Sequence, residues 1–200
     1  PRACGGFPSA ELDECRVVVI ACTLADNVLS ADATQAAWRT TVWSLGSTLQ
    51  LGETAVAPGA EPPEVRQAFC SESQMLADFG EWFKAVNPSV ITGWNVNFDL
   101  RYMLERWPQL RHALSAVPGA PCRVDSSNKV HVVGRVVADM LHCVRVILRI
   151  RARSYKLKAI AAAVLGGTTK DPVAYDQIRS MHAQGPRTRA VLATYCCKDA

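Results

Sequence analysis

Several features are missing from this sequence of 200 residues, and each absence narrows the class of protein. No apolar run reaches the ~18 residues that a bilayer-spanning helix needs, so no membrane segment is expected. The first residues show no signal-peptide pattern, so we expect none. The eight cysteines contain no C-x-x-C pair, and neither they nor the four histidines have zinc-finger spacing. We therefore expect reduced core thiols, as in a cytosolic or nuclear protein.

The composition is that of an ordinary folded domain. Hydrophobic residues make up 49% of the chain and charged residues 20%, which excludes a disordered tail. The sequence begins at Pro1, without Met and within a Gly/Pro-rich loop, and this predicts a fragment of a longer protein. No internal repeat is visible. The mixture of strand and helix patterns predicts one α/β or α+β domain with a central sheet.

The charge is distributed unevenly along the chain. Residues 1–99 contain 5 basic and 12 acidic side chains, whereas residues 100–200 contain 17 basic and 6 acidic ones. Between Asp139 and Asp171 there is no acidic residue, and the basic ones are Arg145, Arg149, Arg151, Arg153, Lys156, Lys158 and Lys170. This run is either a solvated helix face or a track that binds the phosphates of a polyanion.

The first half of the chain shows strand patterns followed by a helix pattern. Arg16–Leu24 is continuous and β-branched, which predicts a strand buried on both faces. Trp38–Leu45 predicts a second strand. A Gly/Pro-rich loop is expected over Gly52–Pro63. Helical spacing of apolar residues follows over Ser73–Val86, and Ser89–Thr92 then predicts a short strand.

The second half predicts mainly helices. One helix starts at Asn97 or Asp99 and runs to Trp107, and a polar loop follows over Pro108–Asn128. Lys129–Val137 predicts a strand with a bulge at Gly134. The remaining predicted helices are Asp139–Ile150, Tyr155–Leu165, Asp176–Ala183 and Arg187–Ala200.

Two carboxylates stand out by their positions. Asp99 follows a strand and a turn at the start of a helix, where α/β sheets gather ligands, although such an aspartate is also a common helix N-cap. Asp199 lies one helical turn after Tyr195, so the two share a helix face; the alternative is an ordinary surface pair. Carboxylates that hold two hard cations about 4 Å apart can bind a scissile phosphate, and a phenol can orient the attacking water. Together the residues suggest a nuclease.

Two segments, residues 87–100 (NPSVITGWNVNFDL) and residues 195–200 (YCCKDA), contain the candidate site residues. They resemble the second and third exonuclease motifs of family B DNA polymerases of the delta and herpesvirus-like branch. Further segments along nearly the whole chain resemble the same region in order. The intervening and preceding matches are GGFP at 5–8, GRVVADML at 134–141, SYKLKAI at 154–160 and KDPVAY at 170–175.

The resemblance implies a fold, an activity and a set of residue roles. The implied fold is α/β and RNase H-like (DnaQ-like), a central mixed sheet flanked by helices and lacking its first strand. The implied activity is proofreading 3′→5′ hydrolysis of DNA with two Mg²⁺ or Mn²⁺ ions. Asp99 and Asp199 would be metal ligands, Tyr195 would help to position the water, and Asn95 and Phe98 would contact the 3′-terminal nucleotides.

The resemblance also implies the surroundings of the domain. Residues 1–200 would form one exonuclease domain, truncated at both ends, of a DNA polymerase that also has nucleotidyltransferase activity. The implied partners are the single-stranded 3′ end of primer DNA, the remainder of the polymerase chain and a processivity factor, with no membrane. The implied location is the nucleus or a viral replication compartment. Thr194 stands where a histidine subtype would have His, so the tyrosine subtype is implied.

The sequence departs from the family pattern in several places. No Asp-x-Glu occurs, although the first motif of the family supplies two further carboxylates in that form. We therefore expect truncation just before Pro1 and little activity from these 200 residues alone. The second motif has two residues between Asn95 and Phe98, the loop 108–128 is short, and Lys158 replaces an Asn. Polymerase active-site signatures are absent from the sequence.

Two alternatives remain at the sequence level. The chain could be a catalytically degenerate exonuclease-like domain that serves as a DNA-binding or structural module of a polymerase. It could also be a stand-alone RNase H-like exonuclease, against which the polymerase-like segments SYKL and KDPVAY argue. The presence of Asp99, Tyr195 and Asp199 favours an active proofreading domain.

Overall fold

The structure is a computed structural model that describes residues 10, 15–26, 37–48, 62–165, 173 and 177–200. The chain forms two compact units. The first unit contains Pro1–Val17 and Leu76–Gly166, and the second unit contains Val18–Met75 and Gly167–Ala200. Most of the predicted loop Gly52–Pro63 lies outside the described residues. In the described part of the chain, no helix has the length and apolar character to cross a membrane.

The second unit is built on a three-stranded sheet in the order β1-β2-β3. The strands are β1 (Val19–Asp26), β2 (Ala37–Leu45) and β3 (Glu64–Phe69). β1 runs antiparallel to β2, and β3 runs parallel to it. Because β2 is paired on both sides, it supplies the core of the sheet, and the side chains of Val42 and Trp43 are fully buried.

The expectation that the first strand is buried on both faces was wrong. Ile20 is the one buried residue among those of β1, and the others are half-buried or exposed. Among the described strands, β1 lies at the edge of its sheet, with β2 as its antiparallel neighbour. A strand in that position has fewer elements to cover it than a central parallel strand has.

The described part of the second unit also contains the helices α6 (Gln177–Gln184) and α7 (Pro186–Asp199). Pro186 occupies the first turn of α7, where its missing N–H costs nothing. α7 packs on β1 and β2 and buries Leu192 and Ala193. Arg189 connects this helix to the chain after β2 and to α6, because its guanidinium donates hydrogen bonds to the carbonyl oxygens of Ser47 (2.7 Å) and His182 (3.0 Å), respectively.

The first unit alternates helices with short strands. Its elements are α1 (Glu72–Val86, in this unit from Leu76 onward), β4 (Val90–Gly93), α2 (Val96–Arg106), α3 (Leu110–Ala113), β5 (Arg123–Val124), β6 (Val130–His131), β7 (Val136–Asp139), α4 (Met140–His142) and α5 (Leu157–Leu165). β4 pairs with β7 in parallel, and β5 pairs with β6 as an antiparallel hairpin. The guanidinium of Arg135 lies 5.0 Å from the ring centre of Phe83 on α1.

Three predicted elements of the first unit are subdivided in the structure. The strand predicted over 129–137 is two strands, β6 and β7, because Gly134 at φ +77° turns the chain between them. The helix predicted over 139–150 is the short α4 followed by a π-helical turn, Cys143–Ile147. The loop predicted over 108–128 contains α3 and β5.

The mixed α/β class is therefore confirmed. The described strands form one three-stranded and two two-stranded sheets. The RNase H-like arrangement that the resemblance implies stays a prediction. The free cysteines among the described residues differ in burial: Cys15 and Cys122 are buried, whereas Cys70 is exposed and so is no core thiol. Burial raises the pKa of the Cys197 thiol to about 11.

Candidate functional site

The candidate site begins where the two parallel strands of the first unit end. Gly93 of β4 lies in register with Asp139 of β7, so both strands reach their carboxyl ends at the same edge. β4 leads through Trp94 and Asn95 into α2, and β7 leads into α4. The carboxyl ends of parallel strands are where α/β proteins collect ligand-binding side chains.

The turn between β4 and α2 is set by Asn95. This residue is the N-cap of α2 and has a left-handed backbone, φ 58° and ψ 34°, a conformation that Asn tolerates better than most residues. The backbone N–H of Phe98 donates to the Asn95 carbonyl at 2.9 Å and so closes the first helical turn. Asp99 therefore lies inside the first turn of α2, and the N-cap interpretation of Asp99 was wrong.

α2 is fixed by an apolar face with helical spacing. Its buried residues are Val96, Leu100 and Leu104. The backbone of β4 passes close to the start of the helix, because a Cβ on Gly93 would lie 3.3 Å from the Cβ of Val96. Burial of these three positions leaves the intervening residues of the motif, Asn97 to Asp99, half-buried or exposed.

Asp139 joins the end of β7 to this turn, and sequence reasoning did not assign it a role. Its Oδ1 accepts hydrogen bonds from the backbone N–H groups of Asn95 (3.1 Å) and Leu141 (3.0 Å). Its Oδ2 accepts from Nδ2 of Asn97 (3.1 Å). The signal was available, since Asp139 lies two residues after a predicted strand and starts a predicted helix, which satisfies the same strand-end criterion that selected Asp99.

Asn97 links the turn to a third segment. While its Nδ2 donates to Asp139, its Oδ1 accepts from the backbone N–H of Val130 on β6 at 2.9 Å. Both ends of the amide are therefore used, and the orientation of the amide is fixed by its two partners. The turn, β6 and β7 are connected through one side chain.

The carboxyl group of Asp99 has an altered acidity. Although the residue is exposed on one side, desolvation by the surrounding protein raises its pKa to about 6. The backbone N–H of Asp99 opposes this rise, and the negative charge of Asp139 adds to it. A desolvated carboxylate beside another one favours the binding of a proton or a cation.

Phe98 presents an aromatic surface next to Asp99. Its ring stacks on that of Tyr102 one turn later, with centroids 6.0 Å apart and an interplanar angle of 25°. The Tyr102 hydroxyl donates to the carbonyl oxygen of Cys15. This contact anchors the aromatic pair to the rest of the first unit.

The other two predicted site residues lie in the second unit. Tyr195 and Asp199 are on the last turns of α7, one turn apart, as the spacing predicted. Tyr195 is half-buried, and the side chain of Asp199 is outside the described part. The structure thus brings Asn95, Phe98 and Asp99 together on α2 and Tyr195 and Asp199 together on α7. That the two groups meet around one site stays a prediction.

Of the two predicted metal ligands, Asp99 and Asp199, only Asp99 has a side chain among the described residues. Carboxylate oxygens suit the hard cations Mg²⁺ and Mn²⁺, and the desolvated Asp99 beside the charge of Asp139 is chemically suited to such an ion. Among the described residues, which do not include the side chain of Asp199, no group of three or more His, Cys, Asp or Glu side chains could hold a metal.

The basic run follows directly after Asp139. Arg149, Arg151 and Arg153 are exposed and lie in irregular chain between the π-helical turn and α5, so for them the helix-face interpretation was wrong. The guanidinium of Arg145 lies 4.6 Å from the centre of the Tyr155 ring, so this basic group packs within the unit. Lys170 lies outside the described residues.

Comparison with known proteins gives a family match over most of the chain. The family model described as "DNA polymerase family B, exonuclease domain" matches residues 2–160. The DNA polymerase of guinea pig cytomegalovirus is 34% identical over 169 residues, which cover 75% of this chain and 14% of that protein. The bovine DNA polymerase delta catalytic subunit is 34% identical over 157 residues, covering 67% of this chain and 13% of that subunit.

A third relative matches over nearly the whole chain. The DNA polymerase catalytic subunit of human herpesvirus 8 is 31% identical over 213 aligned residues, covering 97% of this chain and 19% of the relative. The chain therefore spans less than a fifth of the length of these relatives.

Proposed function

This chain belongs to the exonuclease domains of family B DNA polymerases, and we propose that it is a proofreading domain that hydrolyses the 3′-terminal nucleotide of DNA in a 3′→5′ direction. The observation that carries the proposal is the position of Asp99. It lies in the first turn of α2, beyond the carboxyl end of β4, and the surrounding protein desolvates its carboxylate. Asn95 and Phe98 lie on the same turn.

The proposed roles follow the chemistry of phosphodiester hydrolysis. Water attacks the terminal phosphorus, the bond to the 3′ oxygen of the penultimate nucleotide breaks, and a nucleoside 5′-monophosphate leaves. When bound, a pair of Mg²⁺ or Mn²⁺ ions supplies water activation and charge stabilisation at the leaving oxygen. Asp99 and Asp199 would hold these ions.

The remaining residues would bind and orient. The half-buried Phe98 ring would offer an aromatic face on which a base can stack, and Asn95 offers an amide for hydrogen bonds to the terminal nucleotides. The Tyr195 phenol would orient the attacking water by a hydrogen bond. Exposed Arg149, Arg151 and Arg153 would contact the phosphates of the single strand.

The proposed setting follows from the relatives, which are DNA polymerases and polymerase catalytic subunits. The partners would be the single-stranded 3′ end of a primer, the remainder of the polymerase and a processivity factor. The location would be the nucleus or a viral replication compartment.

The test uses the full-length polypeptide that contains this chain and a 5′-labelled single-stranded DNA. Asp99→Asn and Asp199→Asn are each expected to reduce release of the 3′-terminal nucleotide by more than the ~10–100-fold that loss of an outer-shell partner of a metal costs. Gel electrophoresis of the shortened products measures this rate in Mg²⁺ and in Mn²⁺.

Glu105→Gln is the matched control, because Glu105 lies on the same helix and is exposed, and it forms a long, 3.7 Å ion pair with Arg101. It should retain the wild-type rate. If Asp99→Asn also retains it, the ligand assignment fails. If the wild-type protein binds the DNA but releases no nucleotide with either ion, the chain is a degenerate binding module instead.

A further inference from the structure

The carboxylate of Asp139 makes three hydrogen bonds at the edge of the candidate site, and the proposed chemistry does not use it. Two of its three donors, the backbone N–H of Asn95 and Nδ2 of Asn97, belong to the turn that begins α2. The third is the backbone N–H of Leu141. The two bonds to the turn join residues that are 44 and 42 positions apart in the sequence, so they are tertiary contacts.

Capping of α4 does not account for this arrangement. Asp139 is the N-cap of α4 through its bond from Leu141, but α4 has only three residues. One bond serves that cap, and the other two go to a different element. Hydrogen bonds to an ionised acceptor are roughly twice as strong as neutral ones, so the two bonds to the turn are a substantial constraint on its geometry.

The turn needs such a constraint. Asn95 has a left-handed backbone, a conformation that costs a non-glycine residue free energy and therefore requires support from its surroundings. The bond to Asp139 holds the N–H of that same residue. The Asn97 amide, held between Asp139 and Val130, fixes the next half-turn. Phe98 and Asp99 follow immediately.

We propose that Asp139 is a positioning residue that holds the turn at Asn95 and Asn97 and thereby sets the orientation of Phe98 and Asp99 in the site. The proposal rests on the proposed exonuclease function for its consequence in activity. Its structural content concerns only residues of the first unit. Asp139 acts through the turn and does not itself touch the substrate or an ion.

A reciprocal exchange of two side chains tests the proposal. Asp139→Asn replaces one acceptor oxygen by an amide donor, which then faces the Nδ2 donor of Asn97. Adding Asn97→Asp restores the match, because the carboxylate introduced on α2 can accept from both the new amide and the Val130 N–H. The double variant keeps the net charge and all the hydrogen bonds. In the bond between the side chains at positions 97 and 139, the donor and the acceptor have exchanged places.

The first readout is amide hydrogen exchange in metal-free full-length protein. Asp139→Asn is expected to accelerate exchange at the Asn95 N–H by roughly tenfold or more, the scale on which loss of ~1.4 kcal/mol of local stability appears. The double variant should return exchange towards the wild-type rate. Unchanged exchange in Asp139→Asn overturns the proposal.

The second readout is the Mn²⁺ concentration that gives half-maximal activity, supported by calorimetric Mn²⁺ titration. Asp139→Asn should raise it by ~10–100-fold, as loss of a group that orients a ligand does, and the double variant should recover it. Global destabilisation alone would lower the amount of active protein without moving this concentration. A double variant with normal exchange but unrecovered Mn²⁺ response also overturns the proposal, since the charge of Asp139 and not its geometry would then matter.

Asp125→Asn is the matched control. Asp125 also lies in the first unit, and its Oδ1 also accepts two backbone N–H bonds, from Ser127 (2.8 Å) and Lys129 (3.0 Å). It should leave the Mn²⁺ response unchanged. If the wild-type protein shows no nuclease activity, the proposed function fails, and hydrogen exchange together with direct Mn²⁺ titration still decides whether Asp139 positions the turn.

Discussion

At the scale of single residues, Asp99 combines a functional position with a cost in stability. Its folded pKa of about 6 lies above the ordinary value of 3.8, so between these values the folded state holds more protons than the unfolded state. Its ionised form therefore destabilises the metal-free fold, fully so at pH values above the folded pKa. Catalytic groups commonly carry such a cost.

We therefore expect Asp99→Asn to raise the unfolding temperature of metal-free protein at pH values above 6 while it removes nuclease activity. The gain should shrink as the pH falls through the folded pKa and be lost below 3.8. Thermal unfolding in a chelating buffer, followed by circular dichroism across this range, measures the difference. A lower unfolding temperature than wild type at neutral pH would contradict the assignment of a desolvated charge.

The pKa of Asp125 is shifted in the opposite direction to that of Asp99. Hydrogen bonds from the Ser127 side chain, from His131 and from the Lys129 backbone hold its pKa well below the ordinary value. The His131 contact is 2.8 Å long and closes the β5–β6 hairpin. An aspartate with a depressed folded pKa stabilises the fold above its unfolded pKa and loses that contribution as the pH falls through its folded value.

Asp125→Asn should accordingly lower the unfolding temperature at neutral pH. The difference from wild type should shrink as the pH falls below the ordinary aspartate pKa of 3.8. Thermal unfolding of both proteins over a pH series measures this. A difference that does not depend on pH in the acidic range would mean that the ionisation of Asp125 contributes nothing.

At the scale of elements, the turn between β6 and β7 decides where the second parallel strand begins. Gly134 has φ +77°, and a Cβ on it would lie 2.9 Å from the Cβ of Ala116. The adjacent Arg135 donates to the carbonyl oxygens of Leu114 and Pro88, which fixes the start of β7. Because β7 ends at Asp139, this turn also affects the position of that carboxylate.

Gly134→Ala is expected to destabilise the protein for two reasons. The left-handed backbone costs about 1–2 kcal/mol for a residue with a Cβ, and overpacking against Ala116 adds about 1–3 kcal/mol. Gly119→Ala is the control, because Gly119 has nearly the same φ, +78°, and within the described residues nothing lies within 4 Å of its missing Cβ.

The two variants should therefore differ in their free energies of unfolding, with Gly134→Ala the less stable, as measured by denaturant titration. Equal losses would mean that only the backbone conformation matters at Gly134. The contact with Ala116 would then be relieved at no measurable cost.

At the scale of the whole molecule, the basic side chains are concentrated in the second half of the sequence. Residues 1–99 carry 12 acidic and 5 basic side chains, and residues 100–200 carry 6 and 17. Exposed basic side chains attract a polyanion, whose condensed counterions are released on binding. For this chain, the basic run after Asp139 includes the exposed Arg149, Arg151 and Arg153.

Replacing Arg149, Arg151 and Arg153 together by Ala should weaken binding to single-stranded DNA and reduce its salt dependence. Each phosphate contact on a single strand contributes ~0.7 to the slope of log K against log salt concentration, so the slope should fall by roughly 2. Fluorescence anisotropy at a series of salt concentrations measures it. The control variant replaces three other exposed basic residues by Ala, namely Arg123, Lys129 and Arg187, and so removes the same charge. An equal change of slope in both triple variants would mean that only net charge matters.

The sequence by itself determined the family and most of the local structure. Helix α1 begins and ends within one residue of its predicted bounds, and β4 and α7 follow their predictions equally closely. These elements depend on periodic apolar patterns and on Pro and Gly signals, which act between neighbours in the chain. The motif containing Asn95, Phe98 and Asp99 could be identified from the sequence for the same reason, since its residues lie within five positions of one another.

Only the tertiary structure decided which strands pair and what holds the motif in place. The parallel pairing of β4 with β7 and the bonds from Asn95 and Asn97 to Asp139 join residues more than 40 positions apart. The division of residues 129–137 into two strands depends on the close approach of Ala116 to Gly134. Apolar patterns predict that a strand exists, but its partner is selected by packing among distant segments, which no local pattern encodes.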